Sequence, residues 1–201
     1  METLKVLVVV DYVPHIEIMR KFLQDASFEV EITEDRDSLL PERIVQYDVC
    51  LDYMHGGELN PDQTQGLINF VSNGKALVGV HSAAVDKKSD DFIDLLGGKY
   101  IGHQDYSETT VKIVDTEHPI TQGMSDFSII DELYKLEYNP EPLHILIEGV
   151  LEGITYPVCW TRQHGKGRVV FFSLGHGPES FENKDFQKVI IRSIQWAAEQ
   201  I

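Results

Sequence analysis

Basic residues are scarce in this chain. Lys and Arg number 17 against 33 Asp and Glu in 201 residues, a formal net charge of −16. Such a surface repels a nucleic-acid backbone and an anionic membrane, so neither is an expected partner. The charge reads as a solubility device. Cysteine is nearly absent: Cys50 and Cys159 fall in apolar strand-like segments, with no CxxC and no Cys/His spacing of structural zinc. They read as free, buried thiols of a reducing compartment. Long hydrophobic runs are missing too. Val6 to Val10 is too short for a signal segment or a membrane span, and no later run approaches membrane length. The expected location is cytoplasmic. Neither GxGxxG nor GxxxxGK[ST] occurs, so no nucleotide cofactor is expected.

What is present is an ordinary globular composition, 42% hydrophobic and 25% charged. No repeat, linker or low-complexity segment interrupts it, and one domain over residues 1–201 is expected. Strand and helix patterns alternate in the first half. Leu4 to Val10, Phe28 to Thr33, Tyr47 to Tyr53 and Ala76 to Val80 read as strands; Ile16 to Leu23 and Pro61 to about Asn73 read as helices. Asn60 before Pro61 is a helix start, and Gly74 a stop. The order implies an open, mostly parallel, doubly wound α/β sheet. After a short helix near Asp91 to Leu96 the pattern changes to successive strands, from Thr109 to Ser173, before a last helix over Asp185 to Glu199. These strands predict an antiparallel or mixed extension. Gly165-Lys166-Gly167 reads as a hairpin turn within it.

In such sheets ligands bind beyond the carboxyl ends of the strands. Three polar segments leave strands there: Asp11-Tyr12-Val13-Pro14-His15, His81-Ser82 and Gly175-His176-Gly177. In Gly79-Val80-His81-Ser82-Ala83-Ala84 an apolar strand ends abruptly in one polar side chain followed by small residues. That is the layout of a nucleophile elbow, with His81 at its tip. A structural histidine bonded to a neighbouring loop is the competing reading. His103 follows the glycine-rich Gly97-Gly98 to Gly102 segment, read as a turn, and His176 lies between two glycines. Asp131-Glu132-Leu133-Tyr134 sets two carboxylates beside a phenol: Glu132 suits a base or metal ligand, and Tyr134 a hydrogen-bond donor. Asp131 can also serve as a turn cap without chemistry. His118-Pro119-Ile120-Thr121 reads as a structural turn, and His55, His144 and His164 carry no supporting pattern.

At these same residues the chain resembles the ThuA-like, or trehalose-utilisation, family. The matching pieces are Gly74-Lys75-Ala76-Leu77-Val78-Gly79-Val80-His81-Ser82-Ala83, Leu95-Leu96-Gly97-Gly98, Gly102-His103, His118-Pro119-Ile120-Thr121-Gln122-Gly123, Asp131-Glu132-Leu133-Tyr134, Pro157-Val158-Cys159-Trp160, Gly165-Lys166-Gly167-Arg168-Val169 and Ser173-Leu174-Gly175-His176, in the family's order. The resemblance implies a class I glutamine amidotransferase-like fold, related to flavodoxin-like sheets. True amidotransferases carry a cysteine at the elbow; His81 stands there here, so thiolate-dependent glutaminase activity is not expected. The resemblance also implies a role with trehalose and related sugars, oxidised keto-sugars included. The first seventy residues agree with the family in general pattern, and only His15 remains of its histidine-rich first loop.

The leading expectation is therefore an enzyme acting on a small carbohydrate, a hydrolase, lyase or isomerase, with His81, His103, Glu132 and His176 as catalytic residues. His15, Ser82, Tyr134 and Trp160 are the candidate substrate-binding residues. Two mechanisms fit. Imidazole and carboxylate can move protons beside a carbonyl, or His81, His103, Glu132 and His176 can hold a divalent metal. The alternative is a non-catalytic sugar-binding or regulatory module, with Tyr12, Tyr106, Tyr134 and Trp160 for stacking. The oligomeric state stays open, a homo-oligomer included.

Overall fold

A computed structural model describes residues 3–11, 15–55, 58–85, 88–151 and 153–201. The first half alternates: β1 (Lys5–Val10), α1 (Ile16–Asp25), β2 (Glu29–Thr33), α2 (Pro41–Ile44), β3 (Val49–Tyr53), α3 (Pro61–Ser72), β4 (Ala76–Val80) and α4 (Asp90–Leu96). The second half is strand-rich: β5 (Gly98–His103), β6 (Ser107–Ile113), β7 (Phe127–Asp131), β8 (Tyr134–Tyr138), β9 (His144–Leu151), β10 (Ile154–His164) and β11 (Gly167–Phe172), then α5 (Pro178–Glu182) and α6 (Lys184–Ala197).

Among the described residues, nine strands form one sheet in the order β2-β1-β3-β4-β11-β10-β9-β6-β7. The strands β2, β1, β3, β4 and β11 are parallel, and every later pairing is antiparallel. This is the expected mostly parallel sheet with its antiparallel extension. Alternate residues of β1 enter separate apolar clusters on the two faces. Val6, Val8 and Val10 pack with Met19 of α1 and Ile190 of α6, and Leu7 and Val9 with Leu67 of α3 and Leu96 of α4. Cover on both faces is why β1 and β4 read as near-continuous hydrophobic runs, while β3 carries the buried Asp52 among its apolar residues. The start of α3 is a reciprocal cap: the Asn60 side chain accepts the Gln63 N–H, and the Gln63 side chain accepts the Asn60 N–H.

One expectation about the fold is corrected. The Gly98 to His103 segment is a strand, not a turn; β5 pairs antiparallel with β8 in a separate two-stranded sheet. Glycines at 98 and 102 hide its period-two pattern. Pro178–Glu182, given no element from sequence, is the short helix α5.

Strand direction positions the site. Four antiparallel steps separate β11 from β7, so β7 again runs with the parallel core and its carboxyl end lies at the same end of the sheet. In a flat sheet four spacings of about 4.8 Å would hold β7 about 19 Å from β11. Yet a Glu132 oxygen lies 3.1 Å from His176, so the extension curls back. Register shifts in β10 between Pro157 and Cys159 and between Cys159 and Trp160 mark where it bends, since bulges increase local twist. The outer edge of β7 is closed: Asn183 Nδ2 donates to the Ser128 carbonyl and Ser180 Oγ to that of Ile130. No helix among the described residues is long and apolar enough to cross a membrane.

Candidate functional site

The strand β4 ends at Val80, and His81 opens a 3₁₀ turn through Ala84. Its φ of 45° lies in the left-handed region, a conformation that costs a residue with a Cβ on the order of 1–3 kcal/mol. The expected elbow is therefore present, with its strain on His81. The imidazole is clamped at both nitrogens: Nδ1 lies 2.7 Å from the Ser173 carbonyl and Nε2 2.6 Å from the Tyr134 hydroxyl. A carbonyl only accepts, so Nδ1 carries the hydrogen and the Nε2 lone pair accepts from Tyr134. Burial pulls the His81 pKa down to about 3, the Ser173 carbonyl opposing it and the neighbouring His176, His55 and His103 adding to it.

Glu132 follows the last residue of β7. Its Oε2 is 3.1 Å from His176 Nδ1 and 3.7 Å from His81 Nε2, and its Oε1 is 3.6 Å from His103 Nδ1. Three imidazoles thus surround one nearly buried carboxylate. His103 ends β5, where its Nδ1 also meets the Gln104 carbonyl at 2.6 Å. By the same reasoning Nδ1 is the donor, and Nε2 is left as the basic nitrogen. The His103 ring faces Tyr100 at 6.0 Å between centroids.

Asp131 turns the other way, into the protein. Its carboxylate accepts the backbone N–H groups of Glu132 (2.7 Å), Gly175 (2.7 Å) and His176 (3.2 Å). Burial pushes this carboxyl up, against the pull of Ser180 and the backbone donors. Gly175 has φ 126°, and a Cβ there would lie 2.8 Å from a Val80 methyl, so only glycine fits the approach of this loop to the elbow. Its carbonyl accepts the Tyr53 hydroxyl at 2.6 Å.

His81, Ser82, His103, Glu132, Tyr134 and His176 all line one cavity of about 260 Å³, just below the usual range of ligand pockets, roughly 300–1,000 Å³. All four residues expected from the sequence to be catalytic come together there, with two of the four expected to bind substrate. His15 is not in the lining. It stands behind Tyr53, its Nε2 3.0 Å from the phenol oxygen. Trp160 is corrected from substrate contact to core: it is fully buried, donates Nε1–H to the Leu96 carbonyl at 2.9 Å and packs on Phe171. The apolar strand around it sets this environment. Tyr106 donates to Glu179 and its ring lies 5.2 Å from that of His176, while Tyr12 lies outside the described residues.

Sequence reasoning missed His55, Tyr100 and the place of Asp11 in the lining. His55 stands just past the carboxyl end of β3, as His81 does past β4, and that parallel was the available signal. Asp11 takes the His55 N–H on one oxygen and Arg36, at 2.9 Å, on the other. A larger groove of about 530 Å³ beside α4, lined by Asp94, Lys99, Glu137 and Arg162 among others, has no histidine among its described residues.

Residues 5–197 match the family ThuA, described as trehalose utilisation. Among solved structures the chain is similar to a ThuA-like protein from Bacteroides uniformis, at 19% identity over 96% of this chain and 91% of that one, TM-score 0.81. One from Parabacteroides merdae matches at 17% identity, 98% and 90% coverage and TM-score 0.83. A GMP synthase subunit from Thermoplasma acidophilum matches at 12% identity, 99% and 96% coverage and TM-score 0.69. At these identities the structures show the fold. Comparison with curated proteins finds no match.

Proposed function

Because this chain belongs to the ThuA, trehalose-utilisation, family, we propose that it is an enzyme acting on a sugar derivative that carries a carbonyl, an oxidised trehalose or related glycoside. One observation supports this above the others. Glu132 lies 3.1–3.7 Å from three imidazoles, from His176, His103 and His81, at the wall of a cavity sized for a single sugar unit.

His103 is the proton-transfer group in this reading. Its Nδ1–H is held by the Gln104 carbonyl and faces Glu132, which leaves Nε2 to take a proton from the carbon beside the carbonyl. The C–H electron pair becomes a C=C bond, and the carbonyl π pair moves onto oxygen. Return of the proton to the former carbonyl carbon, with the adjacent hydroxyl proton passing to the former carbonyl oxygen, isomerises the sugar; expulsion of an oxygen substituent one carbon further, protonated by His103 as it leaves, cleaves it. The Tyr134 hydroxyl, whose one hydrogen goes to the His81 Nε2 lone pair, serves the developing oxyanion only by swinging away from that nitrogen.

The test is incubation with trehalose, 3-keto-trehalose and simple 3-keto-glucosides in D₂O, followed by NMR. Deuterium incorporation beside the carbonyl, or cleavage, is expected for the keto forms alone. His103→Ala should lower it by about 100-fold or more. Saturable binding of the sugars with no turnover of any would replace this reading with a binding module.

A further inference from the structure

We infer that His81, Glu132 and His176 form a binding site for one divalent first-row transition ion, with a coordination position open to the cavity. This rests on the reading above only for what the ion does, polarising the substrate carbonyl; whether it binds is a separate question.

One ligand atom from each of the three residues lies within 4.8 Å of the other two. Two ligands at 2.0–2.2 Å from a tetrahedral ion stand about 3.3–3.6 Å apart. The Glu132 Oε2 contacts, 3.1 Å to His176 Nδ1 and 3.7 Å to His81 Nε2, bracket that range. The donors leave three different strands, β4, β7 and β11, so three separate backbones point at one spot. Two imidazoles and a carboxylate suit zinc, iron, cobalt or nickel, whereas calcium and magnesium prefer all-oxygen shells.

The surroundings are those of a metal ligand set. His81 donates its other ring nitrogen, Nδ1–H, to the Ser173 carbonyl, which fixes the tautomer that leaves Nε2 free to bind. Asp131 fixes the backbone of both Glu132 and His176. The two Glu132 oxygens are divided: Oε2 serves the ion, and Oε1 stays with His103, so the proton-transfer histidine is not consumed as a ligand. The competitor is Tyr134, whose hydroxyl occupies the His81 Nε2 lone pair at 2.6 Å. Metal entry must turn that O–H aside.

The test starts from the full chain stripped with a chelator and dialysed. Zn²⁺ is titrated by calorimetry and Co²⁺ by visible absorption, with circular dichroism confirming the fold of every variant. One equivalent of ion is expected, with ligand-field bands of nitrogen- and oxygen-bound Co²⁺. His176→Ala and Glu132→Gln should each weaken binding by about tenfold or more; His176 is exposed enough that its loss leaves packing intact. Tyr134→Phe should bind as tightly or more tightly, since the competing hydroxyl is gone. His144→Ala, which removes the separate His144–Asp115 pair at 2.8 Å, should change nothing. No saturable binding, or binding indifferent to His176 and Glu132, overturns the inference. Undiminished turnover of keto-sugars by stripped protein overturns the ion's role and leaves the proposed activity standing. Ion binding without turnover does the reverse.

Discussion

The Asp131 carboxylate accepts the backbone N–H of Gly175 at 2.7 Å, across 44 residues of chain. Its other oxygen takes the N–H groups of Glu132 and His176. One buried carboxylate thereby ties the exits of β7 and β11 together. Asp131→Asn keeps the shape but turns one acceptor into a donor facing an N–H. An unsatisfied buried donor costs about 1–3 kcal/mol, and displaced ligands should lower Co²⁺ affinity by roughly tenfold. Denaturant melts and Co²⁺ titration of the variant check both. Lower stability with an unchanged Co²⁺ spectrum would reduce Asp131 to a structural role.

Both cysteines should be irrelevant to turnover. Cys50 and Cys159 are free and fully buried. Burial pushes both thiols well above their ordinary range, with Asp52 adding to the effect at Cys50. A thiol reagent should label neither in the native protein and both after denaturation. Serine at either position should cost about 1–3 kcal/mol for the buried hydroxyl and leave the rate per folded molecule unchanged. Rate loss at unchanged stability would point to a thiol mechanism.

Trp160→Phe should damage the fold, not the ligand site. It removes the hydrogen bond to the Leu96 carbonyl and opens space beneath Gly98, where a Cβ would already lie 2.9 Å from the indole. The expected loss is about 2–4 kcal/mol, measured by urea melts. Sugar binding by the folded fraction should be unaltered; a weaker sugar affinity at intact stability would return Trp160 to the binding surface.

At the amino ends of the strands, Asp48 accepts the Lys5 N–H at 3.0 Å and the Lys75 ammonium at 2.8 Å. Burial alone raises its pKa, but these two partners outweigh burial and hold it below the ordinary value. A depressed folded pKa gives stability that is complete above the unfolded value, about 3.9. That stability is lost as pH falls through the folded pKa. Asp48→Asn should therefore flatten the acid limb of stability below about pH 4, by at most about 1 kcal/mol for so exposed a pair. Turnover at neutral pH should not change, because the site lies at the other end of the sheet. An acid limb identical to that of the unsubstituted chain would remove Asp48 from the account.

Much of the site was legible because strand ends announce themselves. Val80 to His81 and Leu174 to His176 are abrupt switches from apolar to polar, and both lie where the fold places ligands. His103 stands out through its glycines, although those same glycines disguise β5 as a turn. Trp160 misleads because aromatic type alone does not distinguish a stacking platform from a core anchor; its burial depends on Gly97 and Gly98 crossing above it, a contact between distant segments. The direction of β7 is equally out of reach, since alternation reveals a strand but not which way it runs.

That direction follows a parity rule. Each antiparallel step reverses the chain, and the even number of steps from β11 to β7 returns Glu132 to the end of the sheet that holds His81 and His176. Losing one strand from this margin would send Glu132 to the opposite end. Losing two would preserve its polarity. Relatives that keep the cluster can therefore vary this margin only by whole hairpins, and strand count becomes a quantity inherited with the chemistry.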